Sequence, residues 1–106
     1  MNDNIRNLLV SYGWQITYDE FNIDFSLPFM KQKDRLNEDL FQASSEDFII
    51  DMGWYPEGDP NGKIRSLLIK NHNRTQPVSE FEDKDSAMLE EHIRKLISYA
   101  ERGRSQ

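Results

Sequence analysis

Residues 48–70 read as a β-hairpin, and the rest of the chain must serve it. In FIIDMGWY, Phe48, Ile50, Met52 and Trp54 fall on one face, and Ile49, Asp51, Gly53 and Tyr55 on the other. That period of two is the mark of a strand. PEGDPNG then carries the densest turn signal in the chain: Asn61-Gly62 favours positive φ, and Pro56 and Pro60 restrict their neighbours. KIRSLLIK over residues 63–70 resumes as a second strand. A two-stranded hairpin is not stable alone, so its apolar face needs more strands and a covering layer.

Both are legible. Ile5, Leu8, Leu9 and Tyr12 make one apolar face of a helix over residues 3–12, with Asn2 or Asp3 as cap and Gly13 as its end. Residues 14–29 read as extended, because Phe21, Ile23, Phe25 and Leu27 alternate with polar residues until Pro28. Residues 30–39 fit either a loop or a helical turn. Leu40–Ala43 reads as a short strand, with Ser44–Asp47 turning into the hairpin. Residues 71–76 are turn-like, and Pro77–Glu82 suits an edge strand. Asp83 or Asp85 caps a last helix over residues 86–101. Its Leu89, Ile93, Leu96, Ile97 and Ala100 form a stripe, and Gly103 ends it. The expectation is one α+β domain over residues 1–106. An antiparallel sheet of about four to five strands would carry an N-terminal and a C-terminal helix on one face.

Charge narrows the function. The chain has 19 acidic and 13 basic side chains, a formal net charge of −6. That sign opposes direct binding of nucleic acid or of an anionic membrane surface, and favours a basic protein partner. The same charge also serves ordinary solubility. There is no cysteine, which excludes disulfides, thiol catalysis and cysteine metal sites and fits a reducing cytoplasm. MNDNIRNLLV has no basic region leading a long apolar run, so no secretory signal is expected, and no stretch is apolar enough to span a bilayer. The expected location is the cytoplasm.

Catalytic patterns are weak. His72 and His92 lack metal-ligand spacing and are expected to be exposed structural residues. No serine sits in a nucleophile elbow. GDPNG lacks the spacing of a phosphate loop and of a calcium loop. No metal and no cofactor is expected, and the chain reads as a non-enzyme. What remains is surface character. Glu57 and Asp59 flank the hairpin. Glu80 and Glu82 share one side of the edge strand, with Asp83 and Asp85 close behind. Trp54 and Tyr55 stand at the hairpin mouth, as core residues or as aromatic anchors for a partner, and aromatics rimmed by acids suit a binding hot spot.

The run Ile49-Ile50-Asp51-Met52-Gly53-Trp54-Tyr55-Pro56, then Asp59-Pro60-Asn61-Gly62-Lys63-Ile64-Arg65 and Leu68-Ile69-Lys70, resembles small bacterial immunity proteins. These neutralise polymorphic toxins, including those of contact-dependent growth inhibition. The resemblance covers residues 48–97, and departs from the usual pattern at NHNRT, where a tryptophan-containing pair is the rule. It implies a non-enzymatic inhibitor of a cognate toxin domain, blocking its active site or substrate path; the sequence leaves the oligomeric state open, with a monomer favoured. It further implies a basic toxin of the nuclease class, tRNA-cleaving enzymes among them. Clustering near the hairpin and the sheet edge marks the expected binding residues as Glu57, Asp59, Glu80, Glu82, Asp83 and Asp85, with Trp54 or Tyr55 as anchor, while Gly53, Pro56 and Gly62 serve the fold. Two other expectations are a cytoplasmic adaptor or regulatory subunit and a small hydrolase using paired carboxylates, which would need a concave pocket.

Overall fold

The computed structural model describes residues 2–104. Its elements are α1 (Asn2–Ser11), β1 (Gln15–Asp19), a 3-10 helix (Phe29–Arg35), β2 (Phe41–Ser45), β3 (Phe48–Tyr55), β4 (Lys63–Lys70), β5 (Ser79–Asp83) and α2 (Ser86–Arg104). The five strands form one sheet in the order β1-β2-β3-β4-β5, each antiparallel to the next. The expected α+β architecture is present, with both helices on one face.

Alternation in β3 decides which face. Phe48, Ile50, Met52 and Trp54 are all buried, as are Ile64 and Leu68 of β4 and Phe41 and Ala43 of β2. They meet Ile5, Leu8 and Leu9 of α1 and Leu89, Ile93, Leu96, Ile97 and Ala100 of α2 in one core. Each large side chain so buried contributes about 1.5–3 kcal/mol of transfer free energy. Tyr12, expected on the inner face of α1, lies beyond its last residue and is exposed. Gly13 closes that helix at φ +85°, where the Trp14 amide bonds to the Leu9 carbonyl. The proposed Asn2 side-chain cap falls outside the described residues.

At the other end, Asp85 is the cap: its Oδ1 accepts the Met88 amide at 3.0 Å. Gly103 does not end α2, which runs to Arg104. The glycine is instead needed for packing, because a Cβ there would stand 2.7 Å from the Phe48 ring. The hairpin loop also departs from expectation. Positive φ falls on Gly58 at +73°, not on Asn61-Gly62. Gly62 is required for closeness, since a Cβ would lie 2.6 Å from Trp54 Nε1 and from the Tyr55 carbonyl.

The segment between β1 and the 3-10 helix is not a strand. Phe21 and Ile23 are buried and Phe25 is half-buried, but Leu27 is 48% exposed. The aromatics run edge-to-face from Phe21 through Phe25 and Phe29 to Trp54. Buried Gln32 stands in for a neighbouring strand: its side chain accepts from the Asp24 amide at 2.8 Å and donates to the Asp24 carbonyl at 2.7 Å. No helix among the described residues is long and apolar enough to cross a membrane.

Candidate protein-binding face

Both helices cover one side of the sheet; no helix among the described residues covers the other, where Ile69 is nevertheless buried and the loop after β4 brings Arg74 to Asp51. The central row of this helix-free face is set by register: Tyr18, Gln42, Asp51, Leu67 and Glu80 lie side by side across all five strands. The next row places Gly53, Arg65 and Glu82 together, and Tyr55 pairs with Lys63 beyond them. Strand alternation in β2 to β5 puts these residues opposite the core, and a bulge in β1 adds Tyr18.

Charges on the β4–β5 side are matched to one another. Arg65 Nε donates to Glu80 Oε1 at 2.8 Å, and its guanidinium lies 5.3 Å from the Tyr55 ring centroid. Lys63 Nζ is 4.0 Å from Glu82 Oε2. Exposed pairs of this kind contribute only about 0–1 kcal/mol each.

The β1–β3 side is different. Thr17, Tyr18, Asp39, Phe41, Gln42 and Asp51 bound an open hollow of about 410 Å³. Asp51 Oδ2 accepts from Arg74 Nη1 at 2.6 Å and from Gln42 Nε2 at 3.4 Å. Arg74 arrives from the loop after β4, which Val78 ties back through its amide to the Leu68 carbonyl at 2.7 Å. Asp39 carries no ion pair among the described residues. Partial burial, followed by the negative charges of Asp51 and Glu38, holds the Tyr55 phenol above the ordinary tyrosine range, with Arg65 opposing. Tyr55 therefore keeps its proton and remains a donor.

The eight residues expected to bind a partner are dispersed. Tyr55, Glu80 and Glu82 do share the open face. Trp54 does not: it is fully buried on the inner face, and its Nε1 donates to the Asp59 carbonyl at 2.7 Å. Asp59 Oδ1 accepts the Asn61 amide at 2.9 Å, so it shapes the loop. Glu57 Oε1 accepts the Glu38 amide at 3.1 Å, beside the sheet end. Asp85 caps α2. Asp83 is buried on the helix side, with its carboxylate oxygens 2.8 and 2.9 Å from His92 Nδ1. His92 is correspondingly half-buried, not exposed, and its ring stacks on Phe81 at 4.0 Å.

Tyr18, Asp39, Gln42, Asp51 and Arg74 were not among the expected residues. Alternation in residues 48–55 already assigns Asp51 to the face away from the core. Tyr18 joins that row only because a bulge at Thr17 shifts the β1 register, which no local pattern announces. Among the described residues no three His, Asp or Glu side chains converge as metal ligands. Gly53 is explained here too. Asn37 and Leu40 hydrogen-bond along the β3 edge, to the Trp54 amide and the Met52 carbonyl, and between them the Glu38 carbonyl stands over Gly53, where a Cβ would strike it.

Comparison with protein-family models, curated proteins and solved structures finds no match.

Proposed function

We propose that this chain is an immunity protein that binds a cognate toxin domain in the cytoplasm and blocks its active site or substrate path. The observation that carries the reading is the uncovered sheet face, where Asp39, Asp51, Glu80 and Glu82 stand among Tyr18 and Tyr55. Flat sheet surfaces dressed in acids and tyrosines suit a basic protein partner, and opposite fields raise the association rate. The sequence resemblance in residues 48–97 supplies the class of partner: a nuclease domain with a basic substrate surface. Inhibition then needs no chemistry from the chain, only occupancy.

The test is co-purification with a basic toxin domain, sought in the adjacent gene product, followed by titration calorimetry of the double variant Glu80→Lys, Glu82→Lys. Reversal places two like charges next to Arg65 and Lys63 and against the partner. Affinity should fall by about tenfold or more, chiefly at low salt, with nuclease activity restored in parallel. Unchanged affinity across a salt series in a folded variant would remove the open face from the account.

A further inference from the structure

A hollow lies beside Tyr18, lined mostly by polar side chains. It is concave, of about 410 Å³, on a face no helix covers. Its walls offer two carboxylates, Asp39 and Asp51, the Gln42 amide and the ring of Tyr18, which is 42% exposed. Asp51 has one oxygen engaged by Gln42 and Arg74, while Oδ1 accepts no hydrogen bond among the described residues. Asp39 has no ion-pair partner among the described residues, and Glu38 adds negative charge nearby. The chemistry suits a guanidinium: carboxylate and amide acceptors for a forked donor, beside an aromatic ring.

The chain itself supplies independent evidence. Arg74 is half exposed and comes from a loop outside the sheet, yet its guanidinium is drawn 2.6 Å from Asp51 at the rim. A guanidinium is thus the group this carboxylate already holds. Lysine fits less well, because its ammonium is a point charge without the planar fork that pairs bidentately with a carboxylate or stacks on a ring.

We propose that the hollow bounded by Tyr18, Asp39, Gln42 and Asp51 seats one arginine of the protein partner, with Arg74 as the intramolecular competitor at its rim. The proposal rests on the reading of the chain as a protein-binding inhibitor and names the anchor that reading lacks. Arginine is over-represented among residues that dominate interface energy, so one seated guanidinium supplies a centre for the contact.

The hollow can be tested without the partner. The isotope-labelled full chain is titrated with N-acetyl-arginine methylamide at low ionic strength and followed by amide NMR shifts. The uncharged citrulline analogue serves as control. Saturable shifts should concentrate at Thr17, Tyr18, Asp39, Gln42 and Asp51, and be absent with citrulline. Asp51→Asn and, separately, Asp39→Asn should abolish saturation. Arg74→Gln should tighten binding by about two- to fivefold, the worth of one exposed ion pair. Lys95→Gln makes the same charge change on α2, across the molecule, and should leave affinity unaltered. Shifts scattered over Glu90, Glu91 and other surface acids, or weaker binding in Arg74→Gln, would overturn the proposal. A toxin domain that fails to bind would instead remove the identity of the partner while leaving a localised titration in place.

Discussion

At the scale of single residues, the Asp83–His92 pair shows how a charged surface residue in the sequence becomes an internal brace. The Asp83 side chain is 5% exposed, and both its oxygens face His92 Nδ1. The imidazole lies parallel to Phe81, which comes from β5 as Asp83 does, so the pair fixes α2 against the last strand. Removing the ring leaves a buried carboxylate without its partner, at a cost of about 1–3 kcal/mol, and forfeits a stacked contact worth about 0.5–1.5 kcal/mol. His92→Ala should lower the unfolding free energy in urea by about 2–4 kcal/mol. A loss under about 0.5 kcal/mol, the range of ordinary surface substitutions, would show the pair to be incidental. Nothing in the local sequence announces this pairing. Nine positions separate the two residues, and only the turn from β5 into α2 brings them together.

Among the elements, the segment from Glu20 to Pro28 is the instructive one. Its alternation predicts a strand, and two of the four apolar residues are indeed buried. Yet its neighbour β2 begins only at Phe41, and the Glu20 amide to the Leu40 carbonyl extends the contact just past β1. Asp24 also folds the chain locally, its Oδ1 accepting the Ser26 amide at 2.9 Å and hydroxyl at 2.6 Å. Period-two burial therefore reports which side chains reach the core, not whether the backbone has a ladder. Gln32 supplies the missing bonds from inside the 3-10 helix. Gln32→Leu should cost about 1–3 kcal/mol through the orphaned Asp24 groups, and hydrogen exchange at the Asp24 amide should accelerate. Retained protection there would mean that other groups hold the segment. The hairpin and α2 were legible because their apolar residues are long-periodic and their partners are adjacent in sequence. The eight expected binding residues were less so: acidity does not distinguish a cap at Asp85, a buried brace at Asp83 or a turn at Asp59 from a surface acid.

For the molecule as a whole, one cross-element tie sets an acid limit. Arg6 of α1 donates to both carboxylate oxygens of Asp19 at the end of β1, at 2.5 and 2.7 Å, and to the Phe21 carbonyl at 2.7 Å. The hydrogen bonds from Arg6, outweighing burial, hold the Asp19 carboxyl below its usual 3.8. A carboxyl depressed in the folded state stabilises fully above its unfolded value, and that stabilisation is lost as pH falls through 3.8 towards the folded value. Melting temperature should therefore decline below about pH 4.5. Arg6→Gln should lower it at neutral pH and flatten that decline, as read by circular dichroism across an acid series. An equally steep acid limb in the variant would assign the loss to other carboxyls.

A position without a side chain governs more than its own strand. Because Gly53 leaves room for the Glu38 carbonyl, it also bears on where the next residue, Asp39, stands beside Asp51. Any bulkier residue there would displace that carbonyl and carry one carboxylate out of the arginine seat. Recognition could thus be retuned from underneath, by a change no partner ever touches.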